Sequence, residues 1–479
     1  MKIILIAVFL LLAAVLGILA ALFGGESAII LTIVVGVFLG LCIDPRVGVV
    51  ALVLLAPLTS IQIVLKLFII VAGMTAVLMV GKSMFAETKF AMPPRYFIIG
   101  YVGLMLMATI IGFPHIGAAH RILSEIEGAA NFTPYGYFRY VYLGKFSLVL
   151  YAVLLANALR QSKVPSRFLL AYALSVALPV AAIFAVIAIW KIPLSSLQSS
   201  RGFLAVLGGH ANEFGMLLAT ACGPLLFLAS DMKGKAIRWI AGAALLIAVT
   251  GLLLTFSRGG YAAFVAIVAY FLVTKRRFRA LAMVGGLAVI LFAFAPTAVH
   301  ERVMTGMVGG SNQVGASGQQ LDSLTAGRLG VYEMLLPEIQ RSPIVGRGIG
   351  STVWTEPFLR GQYKAQHPHN LYLEILLDVG IFGLVVMGYL YYRYLRGLKS
   401  ISNDESISPE ISCFAAGAKA SIFGMLVMGF TNGHWLPHFE QSYFWFFVAV
   451  VFAFAVEERK RVGGASSIRS FGIRPLASK

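Results

Sequence analysis

Charge is scarce in this chain. Of its 479 residues only 12% are Asp, Glu, Lys or Arg, against 59% hydrophobic. A soluble domain carries about twice that charged share, so a water-soluble globular fold is excluded. Cysteine is scarcer still. Cys42, Cys222 and Cys413 stand far apart in or next to apolar runs, which excludes a disulfide framework and a cysteine metal site. No His-Glu-x-x-His spacing occurs, and so no helix-borne zinc pair of that type. The short alternating segments of a β-barrel are missing too. The apolar run after Met1-Lys2 lacks a cleavage pattern around Gly24-Gly25-Glu26-Ser27. It leads into another apolar run and reads as a retained first helix, not a signal peptide.

What the chain has is apolar length. Runs of roughly 17–25 residues recur from end to end, each able to cross a bilayer core as a helix. Such helices satisfy their own backbone polar groups. The expected fold is therefore an all-α polytopic membrane protein of about 14 transmembrane helices. They fall near residues 3–23, 27–43, 47–63, 66–84, 96–112, 141–159, 168–190, 212–230, 237–255, 260–274, 280–296, 371–393, 413–431 and 441–456.

The net charge of +18 would by itself suit nucleic acid, but its placement argues against that partner. Arg160-Gln161-Ser162-Lys163, Lys233-Gly234-Lys235, Lys275 to Arg279, Arg393 to Lys399 and Glu457 to Arg461 lie in connections that recur every second helix. This is the positive-inside pattern, and it puts both termini in the cytoplasm. The longer connections, 113–140, 191–211, 297–370 and 432–440, then share the opposite face with the short turn 256–259. The expected divisions are N-terminal helices over 1–190, further helices over 191–296 and a large loop over 297–370. C-terminal helices over 371–461 and a basic tail over 462–479 follow, the tail suited to anionic headgroups.

The large loop has its own texture. Residues 306–327 are rich in Gly, Ser and Gln. From Gly327 to Gln340 the apolar positions Leu329, Tyr332, Leu335, Leu336 and Ile339 are spaced for a helix lying on the membrane surface. Gly346-Arg347-Gly348-Ile349-Gly350 reads as a tight turn; no strand–helix crossover surrounds it, so it is not a dinucleotide fingerprint. The loop ends in His367-Pro368-His369-Asn370 at the mouth of a long apolar helix. Trp354, Phe358 and Tyr363 suit either stacking on sugar or packing the loop.

Few polar residues stand where chemistry is possible. Arg258 follows Ser257, a plausible N-cap, and at a helix N-terminus it would favour an anion. Its ordinary reading is an interfacial arginine reaching headgroups. Arg328 and Arg347 suit phosphate by their bidentate geometry, though alone each reads as a solvated charge. His369, just before a helix N-terminus, has its charged form disfavoured by the dipole, so a neutral imidazole can accept a proton. The ordinary reading is a capping or water-facing histidine. His367 and His369 lack a third metal ligand at any recognisable spacing, so no metal is expected. Arg201 and His210 enter a span whose Glu213 lies just inside the membrane, a costly place; a pairing with Arg201 would account for it. His434, His438 and Glu440 share a short loop, read either as interfacial or as lining the same cavity. Trp435, Tyr443 and Trp445 suit an interfacial aromatic belt.

His369-Asn370, nine residues, Gly380, two residues and Gly383 resemble the His-Asn motif of the bacterial O-antigen ligase family. Its superfamily includes O-antigen and exopolysaccharide polymerases. Thr255 to Gly260 is similar to the family's Ser-Arg-Gly turn, and Arg328 to Gly350 to its Arg-containing helix and Gly-x-Gly. The resemblance implies a GT-C-type glycosyltransferase of the inner membrane with a periplasmic active site. It implies a donor glycan on undecaprenyl diphosphate and an acceptor that is another glycan or lipid A–core. Arg258 and Arg328 correspond to diphosphate-binding arginines and His369 to the base. No cofactor is implied; membrane lipids and polysaccharide export or chain-length proteins are the expected partners. The span count suits polymerases at least as well as ligases. A lipid-linked glycan flippase or secondary transporter is the alternative, but it would place charges near mid-membrane in related halves. A non-catalytic scaffold would not need Arg258, Arg328 and His369 on one side.

Overall fold

The computed structural model describes residues 44–85, 90–116, 144–193, 201–276, 328–360 and 367–455, with Gly40, Thr133, Tyr135 and Gly136 besides. Twelve helices organise these residues: α1 (Arg46–Leu55), α2 (Gln62–Phe85), α3 (Arg95–His115), α4 (Phe146–Gln161), α5 (Arg167–Ile189), α6 (Ala211–Asp231), α7 (Lys235–Leu254), α8 (Arg258–Thr274), α9 (Arg328–Arg341), α10 (Leu371–Ser402), α11 (Pro409–Met428) and α12 (Ser442–Phe454). Seven of them, α2, α3, α5, α6, α7, α10 and α11, are long and apolar enough to cross a membrane, and α1, α4, α8 and α12 are shorter apolar helices. The protein is thus a helical membrane protein, and the expected spans that fall on described residues each overlap a helix, although four of these helices are too short to count as spans and the expected 47–63 run breaks between Leu58 and Gln62. Those at 3–23, 27–43 and 280–296 lie outside the described residues, as does the 306–327 stretch.

The bundle centres on α6, with α7, α8 and α11 packed around it. Small residues permit the close approaches. A Cβ on Gly223 would come within 2.4 Å of the Gly417 carbonyl oxygen, and one on Gly260 within 3.0 Å of the Gly215 Cα. Ser421 Oγ, 2.6 Å from the Thr220 carbonyl, donates across the α6–α11 contact. Small residues and interhelical hydroxyl bonds hold helices together in lipid, where apolar surface gains nothing from association. Tyr172, Phe414, Tyr443 and Phe446 fill the interior edge to face.

Two polar ends result. Lys275 Nζ meets Asp231 at 2.5 Å, and Arg160 donates to the carbonyls of Phe452 and Ala453. These contacts gather the last turns of α4, α6, α8 and α12 at one end. The first turns of the same helices lie at the other, which carries the candidate site.

The helix α10 is interrupted. Gly380 has φ 66° and ψ −166° in its middle. A broken helix in apolar surroundings must find partners for its freed backbone groups, and the loop after α9 supplies them. Ile381 N and Phe382 N donate to the carbonyls of Pro343 (2.8 Å) and Ile344 (3.0 Å), while Arg347 N and Gly348 N donate to Leu377 O (2.7 Å) and Asp378 O (2.9 Å). Gly346 and Gly348, at φ 70° and 92°, let this loop reach the break; a Cβ on Gly346 would lie 2.3 Å from Asp378 C and Val379 N. The Asp378 side chain, fully buried, accepts from Gly350 N (3.1 Å), Ser351 N (2.9 Å), Ser351 Oγ (2.7 Å) and Trp435 Nε1 (3.0 Å). The expected helix of the large loop is present as α9. Leu335 and Ile339 bury against Leu377 of α10 while Leu336 stays exposed.

Gly380→Ala is expected to destabilise the protein by more than the roughly 1–2 kcal/mol of a left-handed alanine. The added Cβ would also stand 2.3 Å from the Ile344 carbonyl oxygen. Gly388→Ala in the same helix, with nothing within 4 Å, should be neutral or stabilising by up to about 1 kcal/mol. Thermal unfolding of both variants in detergent checks this; equal behaviour would contradict the account of the break.

Candidate functional site

Asn370 opens α10 and anchors the site. Its Oδ1 accepts from Tyr372 N (2.9 Å) and Leu373 N (3.1 Å), satisfying two donors of the first turn. Its Nδ2 donates to Phe430 O (3.2 Å) and to the Tyr332 hydroxyl (3.0 Å). Leu371 N adds a bond of 2.8 Å to Gly429 O. One side chain therefore ties the head of α10 to the end of α11 and to α9.

His369 sits before this cap at φ 52°, the left-handed region that non-glycine residues visit at a cost of order 1–3 kcal/mol. Its backbone N donates to His367 Nδ1 at 3.3 Å. Such a conformation persists only where the surroundings impose it, and the Asn370 tethers do so here. Phe256, two residues before Arg258, is likewise at φ 50°.

Arg258 is the first residue of α8, partly exposed. Ser257 is the predicted cap: its Oγ accepts from Gly260 N at 3.1 Å and donates to Asn212 Oδ1 at 3.1 Å. Gly259 lies against Thr431, whose Oγ1 would be 2.5 Å from an added Cβ. Arg328 is the first residue of α9, and one turn on the Tyr332 hydroxyl donates to Phe430 O at 3.2 Å. Three residues far apart in sequence thus stand on elements that meet the same short segment, 428–431. The side chains of Arg328 and Arg201 lie outside the described residues; Arg201 opens a 3-10 turn, Arg201–Leu207.

Behind His369 runs a file of imidazoles. Ring centroids are 4.0 Å apart for His369 and His367, 4.5 Å for His367 and His434 and 4.9 Å for His434 and His438. His434 Nδ1 lies 3.0 Å from Glu374 Oε1, both buried. Burial works against charge on His434, but the Glu374 carboxylate outweighs it and raises the imidazole to about 10. Burial, reinforced by the cationic His434, holds His367 well below the usual imidazole range. Burial with Lys145 beside it does the same to His438. The file therefore contains one cation between two neutral rings at neutral pH.

His210 is exposed at the N-cap of α6, and its backbone N donates to Glu213 Oε2 at 2.7 Å. Whether Glu213 also pairs with Arg201 lies outside the described residues. Arg347 forms an ion pair with Glu338 and reaches the Trp354 carbonyl at 3.4 Å, an engagement inside the glycine turn. Trp354 and Phe358 are buried in that loop, and Tyr363 lies outside the described residues. Trp435, Tyr443 and Trp445 do not form an interfacial belt. All three are buried: the 432–440 segment folds inward and spends the Trp435 indole on Asp378, and α12, which carries Tyr443 and Trp445, packs against α4 inside the bundle.

Sequence spacing offered no third ligand for His367, whereas the fold supplies partners. Ligand atoms of Glu213, His367 and His434 lie within 4.8 Å of one another, as do those of His434, His438 and Glu440. Glu374 and Asp378 escaped notice as site residues, although a carboxylate inside an apolar run is the signal that marks them.

Residues 243–388, which hold Arg258, Arg328, His369 and both motif glycines, match the family model described as O-antigen ligase. A protein of Rickettsia bellii named "Putative polysaccharide ligase" is 27% identical over 151 residues, which is 27% of this chain and 37% of that protein. Its namesake in Rickettsia prowazekii is 25% identical over 174 residues, 32% of this chain and 42% of the relative. One from Rickettsia felis is 30% identical over 98 residues, 19% and 24% of the two chains. The chain spans less than half the length of these curated relatives.

Asn370→Ala should lower stability by about 1–2 kcal/mol from the lost cap and more from the lost tethers. Asn370→Asp keeps the acceptor and loses the donor to Phe430 O, so it should fall between. Thermal unfolding in detergent checks the order; an aspartate variant as stable as wild type would remove the tether from the account.

Proposed function

From the kinship of this chain to the O-antigen ligase superfamily, which residues 243–388 support, we propose that it is a membrane glycosyltransferase acting on lipid-linked glycan. In this reading it has about 14 spans, a GT-C-like architecture and a position in the bacterial inner membrane. Both termini face the cytoplasm and the site faces the periplasm. The donor is a glycan on undecaprenyl diphosphate. The acceptor is a hydroxyl of lipid A–core or of another lipid-linked repeat.

The observation that carries this reading is the convergence of Arg258, Arg328 and His369 on elements tied to segment 428–431. In the transfer step the acceptor oxygen bonds to the anomeric carbon while the bond from that carbon to the diphosphate oxygen breaks. The leaving diphosphate keeps the electron pair. Its charge needs stabilisation, and arginine forks with the N-terminus of α8 are suited to supply it. The acceptor proton passes to the His369 imidazole, which a backbone held by Asn370 presents at the head of α10. No step in this scheme calls on a metal ion.

A transporter reading places charge at mid-membrane. Glu374, Asp378, His434 and Glu440 are joined by contacts around the first turns of α10 and the 432–440 segment, beside His369, which favours an enzyme.

His369→Ala and Arg258→Ala are each expected to abolish surface glycan assembly while leaving folded protein in the membrane; normal glycan in either strain would defeat the assigned roles. Transfer in isolated membranes should continue in the presence of a chelator, and loss restored by a divalent ion while the protein stays fully folded would contradict the metal-free step. In a null strain, long lipid-linked chains without attachment indicate a ligase, and single repeats a polymerase.

A further inference from the structure

Among the described residues, His438 Nδ1, Glu440 Oε1 and Glu374 Oε2 are three buried polar atoms near the head of α10 without a hydrogen-bond partner. A buried lone pair left unmatched costs about 1–3 kcal/mol, and native folds leave few without an ion, water or ligand. Two of the three belong to one constellation, His434, His438 and Glu440, whose ligand atoms lie within 4.8 Å of one another.

The partners of these residues show which atoms are committed. Glu440, fully buried, spends Oε2 on Asn432 Nδ2 at 3.2 Å and keeps Oε1. His434 spends Nδ1 on Glu374 at 3.0 Å, which makes Nε2 its ligand nitrogen. His438 keeps Nδ1. The neighbouring triad of Glu213, His367 and His434 is less open. Glu213 Oε2 accepts from His210 N, and His367 Nδ1 accepts from His369 N.

We propose that His434, His438 and Glu440 form a site for a divalent ion of the zinc class. Two imidazoles and a carboxylate are a zinc donor set, with the fourth position open to water; zinc takes the place of the Nε2 proton that His434 carries in the metal-free protein, so binding releases that proton. Glu374, on the far side of His434, is placed as the carboxylate that orients a ligating histidine. Bonds of about 2.0–2.2 Å in tetrahedral array put ligand atoms roughly 3.3 Å apart. Binding therefore draws the 432–440 segment inward by a small movement. The ion acts as a brace for this segment, outside the transfer chemistry. The ligands sit at spacings of four and two, His434 and His438 in irregular chain on either side of Pro437 and Glu440 in the 3-10 turn Phe439–Gln441, a pattern that motif reading does not recognise.

The test uses the full chain in detergent without a polyhistidine tag, stripped with chelator, dialysed and titrated with zinc alone. One equivalent should bind per chain and raise the unfolding temperature. His438→Ala and Glu440→Gln should each weaken binding about tenfold or more, while His367→Ala binds as wild type. X-ray absorption of the wild-type complex should show two imidazole nitrogens and oxygen around zinc, a readout independent of whether any variant folds. No stoichiometric binding, or equal binding by wild type and both ligand variants, would overturn the site. None of these measurements involves glycan, so they stand apart from the transfer reading.

Discussion

The interruption of α10 at Gly380 is the constraint on which the site end depends. A helix that breaks inside apolar surroundings exposes donors and acceptors that lipid cannot satisfy. Here the glycine loop 342–350 answers them strand-fashion, and Asp378 takes four further donors from that loop and from Trp435. The break thereby recruits three pieces of chain: α9 with its following loop, the head of α10, and the inward-folded 432–440 segment. A continuous helix would need none of them. The motif glycines have a physical reason as well. Gly380 supplies the left-handed turn, and Gly383 leaves room for Val379, whose Cγ2 would stand 2.1 Å from an added Cβ.

Much of the fold was legible in the sequence, because apolar length and helical spacing are local properties. The helices, the Ser257 cap, the surface-type pattern of α9 and the glycine turn all follow from residues within a few positions of one another. The candidate site was legible only in part. Arg258, Arg328 and His369 could be singled out by the rarity of charge and by a motif. Their meeting at segment 428–431 rests on contacts across 58 or more positions, such as Leu371 to Gly429 and Asn370 to Phe430, which no periodicity encodes. The aromatic residues misled for the same reason. Trp435, Tyr443 and Trp445 near a helix end have the composition of an interfacial belt, and only the inward fold of 432–440 and the packing of α12 show that they are core.

Electrostatics at the site follows from one pair. Glu374, in the first turn of α10, keeps His434 cationic in a buried position, and that charge helps keep its ring neighbours His367 and His438 neutral. Positive charge is thus present at the end of the bundle while the exposed end of the histidine file remains beside a neutral ring.

Segment 428–431 lies between the heads of α8, α9 and α10 and fixes the placement of all three through backbone carbonyls and one threonine. Its length acts as a common ruler. A residue added or removed there would displace three distant positions together, whereas connections elsewhere can lengthen without touching that registration. A change of length is therefore costly at the meeting point and cheap between meeting points.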